Sequence, residues 1–330
     1  MASQHHASRS QKALSKKEKE LLWGLEDALA ADIDSWYTSS LACCDAYVDD
    51  YAAKWPLANM RFTSSPPDVF YSGSRRVRSV VTEKQFEKLL PFIECPNCDG
   101  PVGPNLFFLE LPFHPEVFED DLRDLGALAR TAPFLLLTNK FAQQIRSEIS
   151  SLCSKVEADR PEGRFYRGRE LGAKAAHRKD FGPPPASETK EGRYNHAGRP
   201  ALYLANLRTT CWEECRRPRE DFFVASFEFK KPAKVLDLSQ PEEMTEVMAA
   251  LVYSNLTAAP SDGRGWDRPE YVLTRFVGDC ARMAGIDAIQ YLSTRVGSGV
   301  NLVFLDGDHC SKFLRLLRFE KYARPKKSWE

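Results

Sequence analysis

The chain has 330 residues, 43% hydrophobic and 28% charged, an ordinary balance for a globular protein and enough length for two domains. Lys and Arg total 46, as do Asp and Glu, so the zero net charge argues against general binding to nucleic acid or to an anionic membrane. The apolar runs are far shorter than the roughly 20 residues that span a bilayer, and the polar N-terminus lacks the apolar stretch of a secretory signal. These features predict a cytoplasmic protein with no membrane partner and no specific nucleic-acid partner.

The first half is predicted to be mainly helical. Apolar residues follow helical spacing from Lys16 to about Asp50. The stretch "TEKQFEKLL" predicts a short helix capped by Thr82, and "DLRDLGALARTAPFLLLTNKFAQQIRSEISSL" predicts one or two helices interrupted at Pro133. We therefore expect a mainly α domain with a regulatory or interaction role over residues 1–155.

Four cysteines of this half could form a metal site. Nine cysteines in all, without a secretory signal, argue against a disulfide framework. The stretch "ECPNCDG" is a CxxC followed closely by Gly, the form of a zinc knuckle, but it supplies only Cys95 and Cys98 where a structural zinc site needs four ligands. The adjacent Cys43 and Cys44 are candidates for one or two more. Zinc is thus one interpretation, and free thiols in a tight loop are the favoured one.

Residues 156–330 have a different character. Short aromatic and β-branched runs alternate with Gly and Pro, which predicts an α+β domain. The predicted strands are "RFYRG", "ALYLA", "FFVASFEF", "KVLDL", "AIQYLS" and "NLVFL". Two predicted helices, "EEMTEVMAALVYSNL" and "RPEYVLTRFVGDCARMAG", lie among them. The change places the domain boundary near residue 155.

Polar side chains occur at or near the predicted strands and turns of this second domain: Arg167, Arg193, Tyr203, Glu214, Ser293 and Asn301. Each alone has an ordinary structural interpretation, as a surface arginine, a turn serine or a solvated glutamate. Together they match the parts of NAD. Two arginines can grip a diphosphate, a tyrosine ring can stack on a flat base, and a carboxylate can stabilise an oxocarbenium-like ribose. The set predicts a site that breaks the nicotinamide–ribose bond.

The order of these motifs resembles the RES domain family, which is named for its Arg, Glu and Ser. The matching stretches are "FYRGR", "GRYNHAGRPALYLA", "CWEECR", "VLDL" and "GIDAIQYLSTRVGSGVNLVFL", and they cover roughly residues 160 to 320. The resemblance implies a fold like that of ADP-ribosyltransferases and an activity that degrades NAD by hydrolysis or phosphorolysis, often in a toxin restrained by an antitoxin. Chains with a RES domain sometimes carry an N-terminal helical domain with paired CxxC knuckles, which the first half resembles.

The resemblance also implies a role for each matched residue. Arg167 and Arg193 would hold the phosphates and ribose of NAD, and Tyr203 would contact the nicotinamide side. Glu214 would be the catalytic carboxylate. Ser293 would complete the polar wall and is counted, with Arg167, among the catalytic residues.

One alternative to the catalytic carboxylate stands next to it in the chain. Glu213 is an adjacent rival of Glu214, but consecutive helical side chains point about 100° apart, so only one should face the pocket. The spacing of the matched motifs favours Glu214. The remaining candidates are Tyr194 and Asn301 for NAD binding, and Trp266 and Tyr271 for the pocket lining, with helix packing the favoured interpretation of Tyr271.

The leading hypothesis is therefore an enzyme that cleaves NAD, its substrate, under the control of an antitoxin, another regulatory protein or its own N-terminal half. Two alternatives remain open: transfer of ADP-ribose to a macromolecule, and a non-catalytic module that binds ADP-ribose or a nucleotide. Water, phosphate or a protein acceptor would complete the reaction. A homo-oligomer is compatible with the sequence.

Overall fold

The computed structural model describes residues 14–32, 41–57, 63–66, 68–95, 98–102, 105–109, 111–172, 175–219, 221–258, 269–296 and 299–323. The chain divides into two compact units, Met1–Val117 and Phe118–Glu330. The domain boundary that the sequence places near residue 155 lies later in the chain than this division, and it stays a prediction.

The first unit combines helices with a small sheet. Its elements are α1 (Lys16–Asp32), β1 (Leu41–Cys44), α2 (Asp45–Lys54), β2 (Thr63–Ser65), α3 (Asp68–Gly73), α4 (Arg75–Val80), α5 (Glu83–Leu89) and β3 (Leu106–Leu109). Leu25 of α1 and Val77 of α4 are completely buried in one apolar cluster with Phe86 of α5. Thr82 precedes α5, as predicted, and its backbone N–H donates to Oε1 of Gln85 at 2.8 Å.

The small sheet corrects part of the helical prediction. β3 lies between β1 and β2, and both pairs are antiparallel. The prediction of helix from Lys16 to Asp50 is wrong over Leu41–Cys44, where Cys44 pairs with Leu106. A segment of this length is decided by its pairing partner, which lies far along the chain and is absent from any local pattern. Residues 33–40 lie outside the described part of the chain.

The second unit begins within α6 (Pro115–Thr131), which is followed by a 3-10 turn at Pro133–Thr138. The helical stretch is therefore interrupted at Pro133, as predicted. The elements that follow are α7 (Lys140–Lys155), β4 (Ala158–Asp159), β5 (Phe165–Glu170), β6 (Leu202–Ala205), α8 (Arg208–Glu214), β7 (Phe222–Phe229), β8 (Ala233–Leu238), α9 (Glu246–Tyr253), α10 (Asn255–Ala258), α11 (Val272–Met283), β9 (Ala288–Leu292), β10 (Val300–Phe304) and β11 (Leu314–Lys321).

A mixed sheet organises this unit, which confirms the α+β prediction. Within the described residues its strand order is β11-β7-β5-β6-β10-β9-β8-β4, with β8 and β9 parallel and the other neighbours antiparallel. All six strands expected from the sequence form. β11 was not predicted, and its pairing with β7 shifts register between Leu316 and Arg318, so the simple alternation of a strand is interrupted there.

Three neighbouring strands and one helix bring the polar motifs together. β5, β6 and β10 are adjacent, and α8 packs against β5 and β6. Phe165, Leu202 and Leu302 belong to the buried apolar cluster of the sheet. Arg167 follows Phe165 by two positions and so points to the same face of β5. Among the described helices, none combines the length and the apolar composition that crossing a membrane requires.

Candidate active site

A cavity of about 370 Å³ opens beside β5, β6 and α8. Five of the residues singled out in the sequence line it: Arg167, Arg193, Tyr203, Glu214 and Asn301. Tyr271, for which packing within a helix was the favoured interpretation, lines it as well. Trp266 lies outside the residues that the structure describes. The volume falls within the usual range of small-molecule sites.

Arg167 brings a buried positive charge to the cavity. Its side chain is only 7% exposed, and its Nη1 donates to the backbone oxygen of Tyr203 at 3.0 Å. The buried Nε has no hydrogen-bond partner among the described residues. Burial lowers the pKa of Arg167 to about 9, and the nearby charge of Arg169 acts in the same direction. An anion in the cavity would compensate the buried positive charge of Arg167 and accept a hydrogen bond from its Nε.

Arg193 also lines the cavity and lies close to two aromatic rings. Its Cζ lies 5.8 Å from the ring centre of Tyr271 and 5.4 Å from that of Tyr291, distances at which ring faces attract a cation. The preceding residue must be a glycine. A Cβ at Gly192 would lie 2.3 Å from Oδ1 of Asn195, which is closer than atoms in contact can approach.

The loop that carries Arg193 is held by the hydroxyl of Tyr203. That hydroxyl donates to Oδ1 of Asn195 at 2.9 Å and accepts the backbone N–H of Tyr194 at 2.9 Å. The side-chain amide of Asn195 donates in turn to the backbone oxygens of Lys190 and His196. Burial raises the pKa of Tyr203 well above its usual value, so the hydroxyl stays protonated. The hydroxyl of Tyr203 therefore positions the loop, and its ring remains to meet a ligand.

Of the two adjacent carboxylates, Glu214 is the one that lines the cavity. Its Oε1 accepts from Oγ of Ser293 at 2.7 Å and from Nδ2 of Asn301 at 2.8 Å. Its Oε2 lies 3.9 Å from Nε of Arg295. Glu213 instead accepts from Nε of Arg217 at 2.7 Å and is not part of the cavity lining. Two neutral donors thus fix one oxygen of Glu214.

Two predicted ligand-binding residues lie behind the cavity wall. Ser293 is completely buried and reaches the cavity only through Glu214, and its Oγ also accepts the backbone N–H of Arg295. Tyr194 is 4% exposed, with its ring centre 4.9 Å from that of Tyr291. Neither side chain is part of the cavity lining, so both act, in this geometry, as supports.

Sequence reasoning missed Tyr291 and Asn195. Tyr291 precedes Ser293 by two positions. Because side chains two positions apart on a strand lie on the same face, this spacing could have predicted that Tyr291 lies near the site. Asn195 stands in a Gly-rich turn, where asparagine has an ordinary local explanation. Cys211 also lines the cavity, and burial raises the pKa of its thiol to about 12, so it is uncharged near neutral pH.

The cysteines of the first unit are partly brought together. Sγ atoms of Cys44, Cys95 and Cys98 all lie within 4.8 Å of one another. Cys43 belongs to β1, and its side chain lies outside what the structure describes. The zinc interpretation therefore concerns three of the four predicted residues, and it stays a prediction at this point.

Residues 164–317, a little under half of the chain, match the family model of the RES domain. This segment is a RES domain. It begins one residue before β5 and ends within β11, so it contains the whole cavity lining. No curated protein sequence matches the chain. Among solved structures, the chain is similar to one from the "M.tuberculosis MbcT-MbcA toxin-antitoxin complex", with 16% identity and a TM-score of 0.36 over 53% of this chain and 92% of that one.

Proposed function

We propose that the RES domain cleaves the bond between nicotinamide and ribose in NAD, with the cavity as its active site. The observation that carries the proposal is the placement of one carboxylate, Glu214, in the same cavity as Arg167 and Arg193. A dinucleotide needs both kinds of charge. Its diphosphate needs cations, and the ribose that loses nicotinamide needs an anion beside its C1.

The diphosphate is assigned to the arginine side of the cavity. Arg167 is buried, its Nε has no hydrogen-bond partner in the described part of the chain, and its Nη1 donates to an uncharged carbonyl. A phosphate oxygen at Nε would form a charge-assisted hydrogen bond in a setting of low dielectric, where such bonds are strong. Arg193, which lies close to two tyrosine rings, would supply the second cation. The ring of Tyr203 is the proposed surface for the nicotinamide.

The proposed reaction breaks the bond between C1 of the ribose and the ring nitrogen of nicotinamide. The bonding electrons leave with the nicotinamide, which departs as a neutral molecule and needs no proton donor, and positive charge develops on the ribose. Glu214 would stabilise that charge through Oε2, since Ser293 and Asn301 occupy Oε1. A water molecule then adds its oxygen to C1 and releases a proton, which gives ADP-ribose. Phosphate in its place would give the phosphorylated product.

The proposal extends to the cellular role. Loss of NAD harms the cell in which it occurs, so we propose a toxin or defence effector that acts in the cytoplasm and is restrained by an antitoxin or another regulatory protein. Residues 1–155 are proposed as a regulatory or interaction domain. The likeness to the ADP-ribosyltransferase fold belongs to the same proposal, because that fold family acts on NAD.

The test is NAD consumption by the purified full chain, with and without phosphate, and with nicotinamide and ADP-ribose products separated by chromatography. Glu214→Gln keeps the side-chain shape and is expected to lower turnover by about 10² to 10³-fold, the usual effect of losing one charge-stabilising group. Glu213→Gln is the matched control, because that carboxylate lies outside the cavity lining and pairs with Arg217. Turnover in the control should stay within about twofold of wild type, as expected for a surface ion pair.

The same variants separate catalysis from binding. Affinity for ADP-ribose should survive in Glu214→Gln and fall in Arg167→Met. If wild type binds ADP-ribose but leaves NAD intact with water, phosphate and cell extract all supplied, the enzyme proposal fails and a binding module replaces it.

Transfer of ADP-ribose to a macromolecule is the second candidate, and one observation favours it. A shallow depression of about 550 Å³ beside the active site is lined by Glu213, Thr294, Arg216, Arg217 and Arg295. Nε of Arg295 lies 3.9 Å from Glu214, so an anionic acceptor surface seated on these arginines would lie next to the reacting carbon. Labelled NAD distinguishes the two: transfer gives a labelled macromolecular band and little free ADP-ribose.

A further inference from the structure

Three thiols of the first unit converge from two separate segments of the chain. Cys44 ends β1, and Cys95 and Cys98 belong to the loop that precedes β3. Cys44 is 1% exposed and Cys95 is fully buried. Their Sγ atoms and that of Cys98 all lie within 4.8 Å of one another. Within the described residues, this is the one group of three or more cysteine, histidine or acidic side chains with the spacing of metal ligands.

The distances fit thiolates around a metal better than a disulfide. Sγ of Cys44 lies 3.7 Å from Sγ of Cys98, and all three cysteines are free thiols. A disulfide requires about 2.05 Å between the sulfurs. Four ligands placed tetrahedrally at the zinc–sulfur distance of about 2.3 Å lie about 3.8 Å apart, which is close to the observed separation.

Backbone hydrogen bonds hold Cys95 close to Asp99 and Gly100, the two residues that follow Cys98. The N–H of Cys95 donates to the oxygen of Gly100 at 2.6 Å, and the N–H of Asp99 donates to the oxygen of Cys95 at 3.0 Å. Asp99 adopts the left-handed conformation with φ of 55°. These hydrogen bonds fix the backbone that follows Cys98 next to Cys95.

Glycine at position 100 is part of the same arrangement. A Cβ on this residue would lie 3.3 Å from Sγ of Cys98, tighter than most contacts of that kind. Burial alone does not bring cysteine side chains to the spacing of metal ligands. Cys153 and Cys310 are also buried, yet neither belongs to a group with metal-ligand spacing in the described chain.

We propose that Cys44, Cys95 and Cys98 bind a zinc ion as three thiolates, with a fourth ligand from water or from another side chain. Binding releases the protons of the thiols, and no electron transfer is involved. The ion would fasten β1 to the loop before β3, so its role is structural. The inference is independent of the chemistry proposed for the RES domain, which lies in the other compact unit.

The test uses the full chain, purified without chelators from cells supplied with zinc, and measures zinc by mass spectrometry alongside a count of free thiols. Wild type should carry about one zinc per chain, the stoichiometry of a single structural site. Cys44→Ser, Cys95→Ser and Cys98→Ser should each lose it. Cys153→Ser is the matched control, a buried free thiol of α7, and should retain it.

A second measurement covers variants that do not fold. Cobalt added to the reduced, metal-stripped wild type should give the intense charge-transfer and visible bands of tetrahedral cobalt thiolate, and a mercurial reagent that blocks thiols should release the ion. The proposal is overturned if reduced wild type carries no zinc and gives no cobalt bands, or if Cys153→Ser loses the metal as the others do. A mass that is two hydrogens lower, assigned to a bridge between Cys44 and Cys98 in protein purified under reducing conditions, would also overturn it.

Discussion

Replacing Arg167 with methionine is expected to stabilise the folded protein and to remove its response to ADP-ribose. Burial lowers the pKa of Arg167 from 12.5 to about 9. At 1.36 kcal/mol for each pKa unit, holding this charge in the fold costs about 5 kcal/mol relative to the unfolded chain. The cost is fully present below pH 9, where the residue is charged in both states, and it declines as the pH rises from about 9 towards 12.5.

Methionine fills similar space without charge but leaves the backbone oxygen of Tyr203 without its donor. An unpaired buried acceptor costs about 1–3 kcal/mol, so the net gain expected at pH 7 is about 2–4 kcal/mol. The change in the free energy of unfolding of the second unit is measured by urea unfolding followed through amide hydrogen exchange in β7. β7 lies beside β5, the strand that carries Arg167. ADP-ribose at a hundred times its Kd should raise the free energy of unfolding of wild type by about 2.7 kcal/mol. At the same concentration, the free energy of unfolding of Arg167→Met should not change.

Arg315→Met is the matched control, since Arg315 is 63% exposed and pairs with Glu228 at the surface. Its free energy of unfolding should change by less than about 0.5 kcal/mol, and its response to ADP-ribose should be that of wild type. The reasoning about Arg167 is refuted if Arg167→Met is less stable than wild type at pH 7, or if ADP-ribose still stabilises it.

Three further substitutions test how the site is held together. Tyr203→Phe removes the hydroxyl that holds the loop carrying Arg193. The KM for NAD should therefore rise, and the free energy of unfolding should fall by about 1–3 kcal/mol. An unchanged KM would contradict that role. Ser293→Ala removes one donor from Glu214, the proposed catalytic carboxylate, so kcat should fall about tenfold with KM nearly constant. Steady-state kinetics in which KM changes and kcat does not would contradict the assignment. Gly192→Ala places a Cβ 2.3 Å from Oδ1 of Asn195 and should lower the free energy of unfolding, measured in urea, by about 1–3 kcal/mol. Gly182→Ala is the control and should be tolerated, because its Cβ would meet only ordinary contacts. Equal losses of stability in the two variants would contradict the importance of the close approach at Gly192.

Much of the second unit could be predicted because its strands carry strong local patterns. The six expected runs all form strands, and ordered polar residues at their edges converge on one cavity. The divergence of consecutive helical side chains predicts that only one of Glu213 and Glu214 faces the cavity, and the spacing of the matched motifs favours Glu214. In the structure, Glu214 lines the cavity and Glu213 turns to Arg217.

What the sequence could not supply was the partner of each polar atom. The hydroxyl of Tyr203 satisfies the backbone of a loop nine residues away, and this bond exists only once the strand and the loop have been folded together. Ser293 and Tyr194 belong to the right motifs but lie one layer behind the cavity. Which of two polar layers faces a ligand depends on packing distances, and these have no signature in residue order. β1 was missed for the same reason, because its pairing with β3 is not local.

The order in which the site is completed follows from the pairing of β10 with β6. Asn301 and Ser293, the two donors to Glu214, lie 87 and 79 residues after it in the chain. During translation, both arginines and the carboxylate are made before the two residues that fix the carboxylate. A nascent chain that ends before Ser293 therefore lacks both side chains that fix Oε1 of Glu214. Fragments from interrupted synthesis that stop before Val300 lack Asn301 and the strand that carries it, so we expect unfinished copies to lack the proposed activity.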